Sequence, residues 1–340
     1  MKVPPRPGPL SRASGRLQEW VLTHGVKTVR LCIGVVYFWF GALKFAPVVP
    51  IEEVYLPGRV VSALTLGALD GADGTLVLAV WECFIGFCLV AAIALRTASL
   101  LMFAHLLIMF LPMLLWPRQV WSVFPFGLTL KGQIILDNLV MIACGMVLAS
   151  SVPRGFTRPR FGRLGRWARA WDERSSSWMG RHGTLCLRIA MGTLYVWFGA
   201  LKFFPGFSPL EGFATRTMEV LGAGLIPPQA GLMALAVWEC LIGLALLAGR
   251  APRTALILIV AHMAATLIPL FAIPREIWIQ FPFILTLPGK YLIRHLALFS
   301  AAIVIATAVA QRASGWSAHV NPFLGRAASR REAGPRPLQR

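Results

Sequence analysis

Charge is scarce in this 340-residue chain. Asp, Glu, Lys and Arg make up 14% of it, against about 25% in a soluble globular domain. Acid is scarcer still, with 14 Asp and Glu against 33 Lys and Arg. With 57% hydrophobic residues and a mean hydropathy of +0.68, this composition excludes an ordinary water-soluble domain. Cysteine is sparse: Cys32, Cys83, Cys88, Cys144, Cys186 and Cys240 all fall in apolar stretches, with no CxxC and no zinc-type spacing. That excludes a disulfide framework and a structural zinc site, and the thiols read as small polarizable core residues. The chain also lacks a nucleophile paired with a base, a cluster of metal ligands, a phosphate loop and a dinucleotide fingerprint, which argues against self-contained catalysis. Residues 1–26 are basic and Pro-rich without an apolar core. They do not read as a cleavable signal peptide, and the first apolar segment reads as a retained anchor.

What is abundant is long apolar sequence. Eight segments of roughly 20 residues are long enough to cross a ~30 Å hydrocarbon core. They lie near 27–46, 74–95, 97–116, 132–151, 184–203, 230–249, 252–272 and 290–311. Backbone in lipid must satisfy its own hydrogen bonds, so the segments are predicted to be helices. The expectation is an all-α integral membrane protein with eight transmembrane helices.

The connectors between them divide by charge. Residues 1–27 carry five basic residues against one acid, 152–183 carry eight against two, and 312–340 carry six against one. The segment 47–73 instead holds Arg59 against Glu52, Glu53, Asp70 and Asp73. Basic loops stay in the cytoplasm, so both termini and the central linker are predicted inside. The net charge of +19 then reads as topology signal and contact with anionic lipid headgroups. No folded basic module is visible, so no nucleic-acid partner is implied.

The chain repeats itself at an offset of about 157 residues. VRLCIGVVYFWFGALKF (29–45) matches LRIAMGTLYVWFGALKF (187–203) at 10 of 17 positions. LAVWECFIG (78–86) matches LAVWECLIG (235–243) at 8 of 9, and PRQVWSVFPFGLTLKG (117–132) matches PREIWIQFPFILTLPG (274–289) at 10 of 16. Each unit has four spans, an even number, so the two units are parallel repeats about an axis along the membrane normal. The organisation is a basic arm (1–26), a first four-helix unit (27–151), a basic linker (152–183), a second unit (184–311) and a basic tail (312–340). In the outer connector of the second unit, Ser208, Pro209 and Glu211 predict a capped helix start. Leu210, Phe213, Met218 and Leu221 form one face of that helix, opposite Arg216 and Glu219, and it ends near Gly222 or Gly224. The first unit has Pro50 and Glu53 there without the Ser cap. The PRxxWxxFPFxLTLxG loop suits the headgroup level or a dip back into the bundle.

Polar residues inside the spans recur with the repeat. Gly34, Tyr37, Gly41 and Lys44, matched by Gly192, Tyr195, Gly199 and Lys202, share one helix face that should look into the protein. Lys44 alone could snorkel to the headgroups. Glu82 and Glu239, however, lie eight residues inside their outer boundaries, ~12 Å deep, where a carboxylate must pair, protonate or face a cavity. The lysine of the same unit is the obvious partner, with Tyr37 or Tyr195 available as a donor. The pair either fixes helix register or faces a ligand. His105 and His262 sit mid-span, seven residues before Pro112 and Pro269. They read as hydrogen-bonded packing residues; two histidines at matching depth could ligate a haem, but nothing else signals a haem pocket. Cys83 and Cys240 occupy matching positions, a small opening for redox chemistry. In the fourth spans the repeats differ, with Asp137-Asn138 in one and Arg294-His295 in the other. Asp137 and Arg294 are either a salt bridge joining the units or groups that each find a partner at home.

These motifs carry a family resemblance. Arg-x3-Gly and FGALKF in the first helix, WExxIG in the second, the proline after the third and the TLxGQ lead-in to the fourth make each half similar to the DoxX-like superfamily of four-helix bacterial membrane proteins. The resemblance covers about 250 residues and both repeats. It implies a bacterial cytoplasmic-membrane protein, and a role as auxiliary component of a quinone-linked or oxidative-stress-related redox process with a soluble or membrane redox partner. The family's TLEGQY-type lead-in, followed by Lys-Asn or Lys-Asp, is altered here: Gln133 is kept in the first copy and replaced by Lys290 in the second, and the basic position is Asp137 and then Arg294. A quinone headgroup would suit a Lys/Glu/Tyr/His site, since its carbonyls need donors and its reduction needs protons. The competing expectations are a carrier for a small solute or ion and a scaffold whose buried charges only fix packing.

Overall fold

A computed structural model describes residues 9–46, 51–152, 162–249 and 252–313. Eight helices are long and apolar enough to cross a membrane, and the chain is an all-α multi-pass membrane protein. Spans 1 to 4 are His24–Leu43, Gly71–Ala91, Leu95–Leu115 and Leu130–Ser151; spans 5 to 8 are Ala170–Leu201, Pro228–Ala248, Thr254–Ala272 and Leu287–Ala308. Every segment read from the sequence is present, with edges moved by a few residues, most at the start of span 5.

Consecutive spans are neighbours, and the two runs of four also join at both ends. Span 4 packs along span 5, and span 1 along span 8, so the eight helices close into a ring. Each unit's first helix lies more extensively against the fourth helix of the other unit than against its own. Spans 4 and 8 also meet across the middle. Their apolar windows are 67% and 61% buried, against 33% and 28% for spans 3 and 7, which places spans 4 and 8 at the centre and spans 3 and 7 at the rim.

Within lipid, small residues let helices approach closely, and the repeated glycines do this in both units. A Cβ on Gly86 would lie 2.3 Å from the Phe38 nitrogen, and one on Gly243 would lie 2.6 Å from the Gly192 oxygen. Gly41 faces Cys83 and Gly199 faces Cys240 in the same way, so these cysteines are packing partners of the first helix. All six cysteines are free. The Arg of Arg-x3-Gly has a local purpose: Arg30 donates to the carbonyls of Leu89 (2.5 Å) and Val90 (3.1 Å), the carbonyl-rich end of span 2.

The connectors depart from expectation in three places. The helix carrying span 5 runs from Gly162 to Leu201, 40 residues, so most of the basic linker is a continuous helical extension. Arg96 at the start of span 3 fastens that extension, 2.5 Å from Asp172 and 3.1 Å from Ser176. The helix carrying span 1 likewise starts at Pro9.

Second, the outer helix of the second unit spans Glu211–Leu221 and its N-cap residue is Leu210, with no capping side chain. Glu211 instead accepts from the Gly206 N–H at 2.7 Å, which ties the helix start to the preceding loop. Its end at Gly222 is as read. The first unit has the equivalent helix Ile51–Leu64; Pro50 and the side chain of Glu53 lie outside the described residues.

Third, the PRxxW loop of each unit holds a small antiparallel hairpin, β1 (Trp121–Val123) with β2 (Gly127–Leu128) and β3 (Trp278–Gln280) with β4 (Ile284–Leu285). Thr129 closes it onto the following helix, donating to the Gln119 carbonyl (2.7 Å) and accepting from the Gly132 N–H (3.2 Å); Thr286 repeats both bonds. The hairpins carry the units across one another. The Trp39 indole donates to the Phe283 carbonyl (2.8 Å) and stacks on Trp278, and Trp197 does the same with Phe126 (3.0 Å) and Trp121.

Candidate functional site: two copies of a buried polar network

The helix that begins at Pro9 ends at Leu43, leaving Lys44 just beyond its last turn, where carbonyls are unsatisfied and a cation is favoured. Lys44 turns inward there. Its ammonium donates to the Phe40 carbonyl (3.3 Å) and pairs with Oε2 of Glu82. Lys202 repeats this, donating to the Phe198 carbonyl (3.2 Å) and to Oε2 of Glu239 (2.5 Å). Both carboxylates are buried, at 7% and 8% exposure, so neither lysine snorkels out to headgroups.

The network continues beyond the pair. Nε2 of His105 is 3.0 Å from Oε1 of Glu82, and Nε2 of His262 is 3.2 Å from Oε1 of Glu239. A carboxylate only accepts, so Nε2 carries the proton and Nδ1 of a neutral ring is left as an acceptor. The hydroxyls of Tyr37 and Tyr195 donate to it, each 3.3 Å from Nδ1. The sequence placed the tyrosines beside the lysine–glutamate pair; the structure puts them on the histidines. Each network therefore reads Tyr, His, Glu, Lys, across three spans, with a continuous path of hydrogen bonds. Both ring nitrogens of each histidine are engaged, so in this arrangement neither is offered to a haem iron. Trp81 and Trp238, from the WE motif, lie edge-on to these rings at 6.0 and 5.7 Å.

Each network opens on a cavity, and the cavities differ. The first encloses about 190 Å³ and the second about 80 Å³. The first is lined by Lys44, Glu82 and His105, by Lys131 and Asn138 of span 4, and by Lys290 and Arg294 of span 8 in the other unit. The second is lined by Lys202, Glu239, His262, Tyr291 and His295, with Gln133 from the other unit. The apolar face read for the outer helix covers it: Leu210, Phe213, Met218 and Leu221 all line the second cavity, while Arg216 points away and pairs with Glu276.

Asp137 and Arg294 do not form an ion pair within 4.0 Å. Arg294 does reach across to the first unit, but it donates to the neighbouring Asn138 side chain. A second polar tie runs beside it, Gln133 donating to the Tyr291 hydroxyl at 2.8 Å. Asp137 remains buried, at 6% exposure. Sequence reasoning did not single out Lys131 or Tyr291; the repeat alignment carried the signal, since Lys131 faces Pro288 and Tyr291 faces Ile134 at equivalent positions.

Fold and site together define a multi-pass membrane protein in which two interlocked repeats each bury a Lys–Glu–His–Tyr network beside a cavity. No family model, curated protein or solved structure matches the chain.

Proposed function

We propose that the protein is an auxiliary, ligand-binding component of a membrane redox process in the bacterial cytoplasmic membrane, with both termini cytoplasmic, and that its ligand is a lipid-soluble headgroup rich in acceptor oxygens, a quinone. The observation that carries this is the first network's position on a cavity of about 190 Å³, larger than the ~150 Å³ that accommodates benzene. The Lys44 ammonium keeps one N–H beyond its bonds to Phe40 and Glu82, beside a histidine–carboxylate path able to move a proton. The resemblance of each half to DoxX-like proteins supports the same reading and adds a redox partner. The second cavity, at about 80 Å³, is too small for a ring by the same measure.

Solvent extraction of the purified full-length protein, with quinone measured per chain, tests this. Glu82→Gln keeps the shape of the side chain and removes its charge. Quinone is expected with the parent protein and depleted in Glu82→Gln and Lys44→Met. Equal quinone in all three, or none in the parent, removes the reading; proteoliposome uptake of a small solute would then favour a carrier.

A further inference from the structure

The helix Gly162–Leu201 is longer than a membrane crossing needs, and its extension has two sides. One side is fastened to the bundle. Asp172 and Ser176 hold Arg96 at 2.5 and 3.1 Å. A Cβ on Gly180 would lie 3.6 Å from the Ser150 side chain, and one on Gly183 would lie 3.2 Å from that of Val147. Arg96 stands at the start of span 3 and Ser150 at the end of span 4. Residues 172–180 therefore lie level with those helix ends, where hydrocarbon gives way to headgroups.

The other side faces away from the bundle. With about 3.6 residues per turn, Trp167, Trp171, Arg174, Trp178 and Arg181 fall in one stripe opposite Asp172, Ser176 and Gly180, because they are spaced in alternating steps of four and three. All five are exposed, the tryptophans at 66%, 65% and 49%. Trp167 stacks on Trp171, and Trp178 on His182. Tryptophan, with an apolar body and one polar N–H, is suited to the membrane boundary. Towards Leu201 the same stripe continues as Leu185 and Ile189, exposed apolar side chains of the lipid-facing surface. The two acids of this helix, Asp172 and Glu173, lie off the stripe.

We infer that this stripe is a binding site for anionic lipid headgroups, in which Arg174 and Arg181 take the phosphates and Trp171 and Trp178 lie between the headgroups. Two observations select this occupant. The stripe continues a lipid-facing surface without a break, and its charged members are both basic, as attraction to anionic lipid requires. A second copy of the chain fits less well. Two copies in one membrane share an orientation, so a two-fold axis along the membrane normal would set Arg174 against Arg174 and Arg181 against Arg181, and like charges facing one another repel. The site is separate from both cavities and does not depend on what they hold.

The test uses the full-length protein in a non-ionic detergent, with stepwise binding of phosphatidylglycerol and of phosphatidylcholine followed by native mass spectrometry. Phosphatidylglycerol is expected to bind more tightly than phosphatidylcholine. Its affinity should fall about fivefold in Arg174→Gln and in Arg181→Gln, and about twenty-five-fold in the double variant. Phosphatidylcholine binding should stay at the parent level in all three, which also reports that they are folded. Arg216→Gln, at the far end of span 5, should leave both lipids unchanged. Equal affinity for the two lipids, phosphatidylglycerol binding indifferent to the double substitution, or an equal loss in Arg216→Gln overturns the inference. A dimer that disappears in Trp171→Ala/Trp178→Ala assigns the stripe to a second copy and overturns it as well.

Discussion

The two repeats keep the same network and surround it differently. Lys44, Glu82, His105 and Tyr37 make the same bonds as Lys202, Glu239, His262 and Tyr195, to within a few tenths of an ångström where the bonds are comparable. Around the first stand Lys131, Lys290 and Arg294, and around the second Gln133, Tyr291 and His295. Because spans 1 and 8, and spans 4 and 5, are packed together, each cavity borrows wall from the other repeat. A substitution in one fourth span therefore alters both sites. Duplication followed by divergence at positions 131, 133 and 137 and their counterparts is enough to produce one large cationic cavity and one small neutral one, while the Glu-centred network stays fixed.

The largest way to break the comparison is to remove the carboxylates. Glu82→Ala strands the part-buried Lys44 and Glu239→Ala the buried Lys202, and breaking a buried pair costs about 3–5 kcal/mol. Thermal unfolding in detergent should show the greater loss for Glu82→Ala, because three more cations crowd that cavity. Equal losses would mean that the surrounding charges are screened. The double variants Lys44→Met/Glu82→Met and Lys202→Met/Glu239→Met should recover most of the stability, since no charge is left unpaired.

A smaller effect tests the part of the molecule that is symmetric. Gly86→Val and Gly243→Val both force side chains into backbone, and overpacking of this kind costs about 1–3 kcal/mol or more. The two should lower the melting temperature alike, unlike the glutamate pair. A clear difference would show that the first- and second-helix packing has diverged too. Smallest of all, Gln133→Leu removes the donor to Tyr291, worth about 1 kcal/mol. It should weaken the contact between spans 4 and 8 while leaving the Lys202–Glu239 pair intact, which a double-mutant cycle with Tyr291→Phe would check through a coupling energy of similar size.

Much of this was legible along the chain. Apolar length marked all eight spans, and the 157-residue offset marked the repeat, because both depend only on local sequence. Depth alone required a partner for Glu82 and Glu239, and the lysine followed. The histidines were legible as buried polar groups but not as the third member of the network, because nothing in the spacing says how spans 1, 2 and 3 rotate against one another. The linker read only as a basic connector, because its charge hid a helix that its lack of proline after Pro159 allows. The hairpins were invisible because their pairing runs over few residues and is held by Thr129 and Thr286.

The sequence by itself therefore determined the class of fold, the duplication and the residues that could not face lipid. Only the tertiary structure decided which of them share a cavity. Arg294 and Lys290 belong to the first site although they lie more than a hundred residues from it in the chain, and Asp137 turned out to be a neighbour of Arg294 rather than its partner. The reason is physical. Burial and span length are set by the solvent around each segment, whereas the charge of an internal cavity is set by how helices distant in sequence pack, and the closing contacts between spans 1 and 8 and between spans 4 and 5 have no local signature.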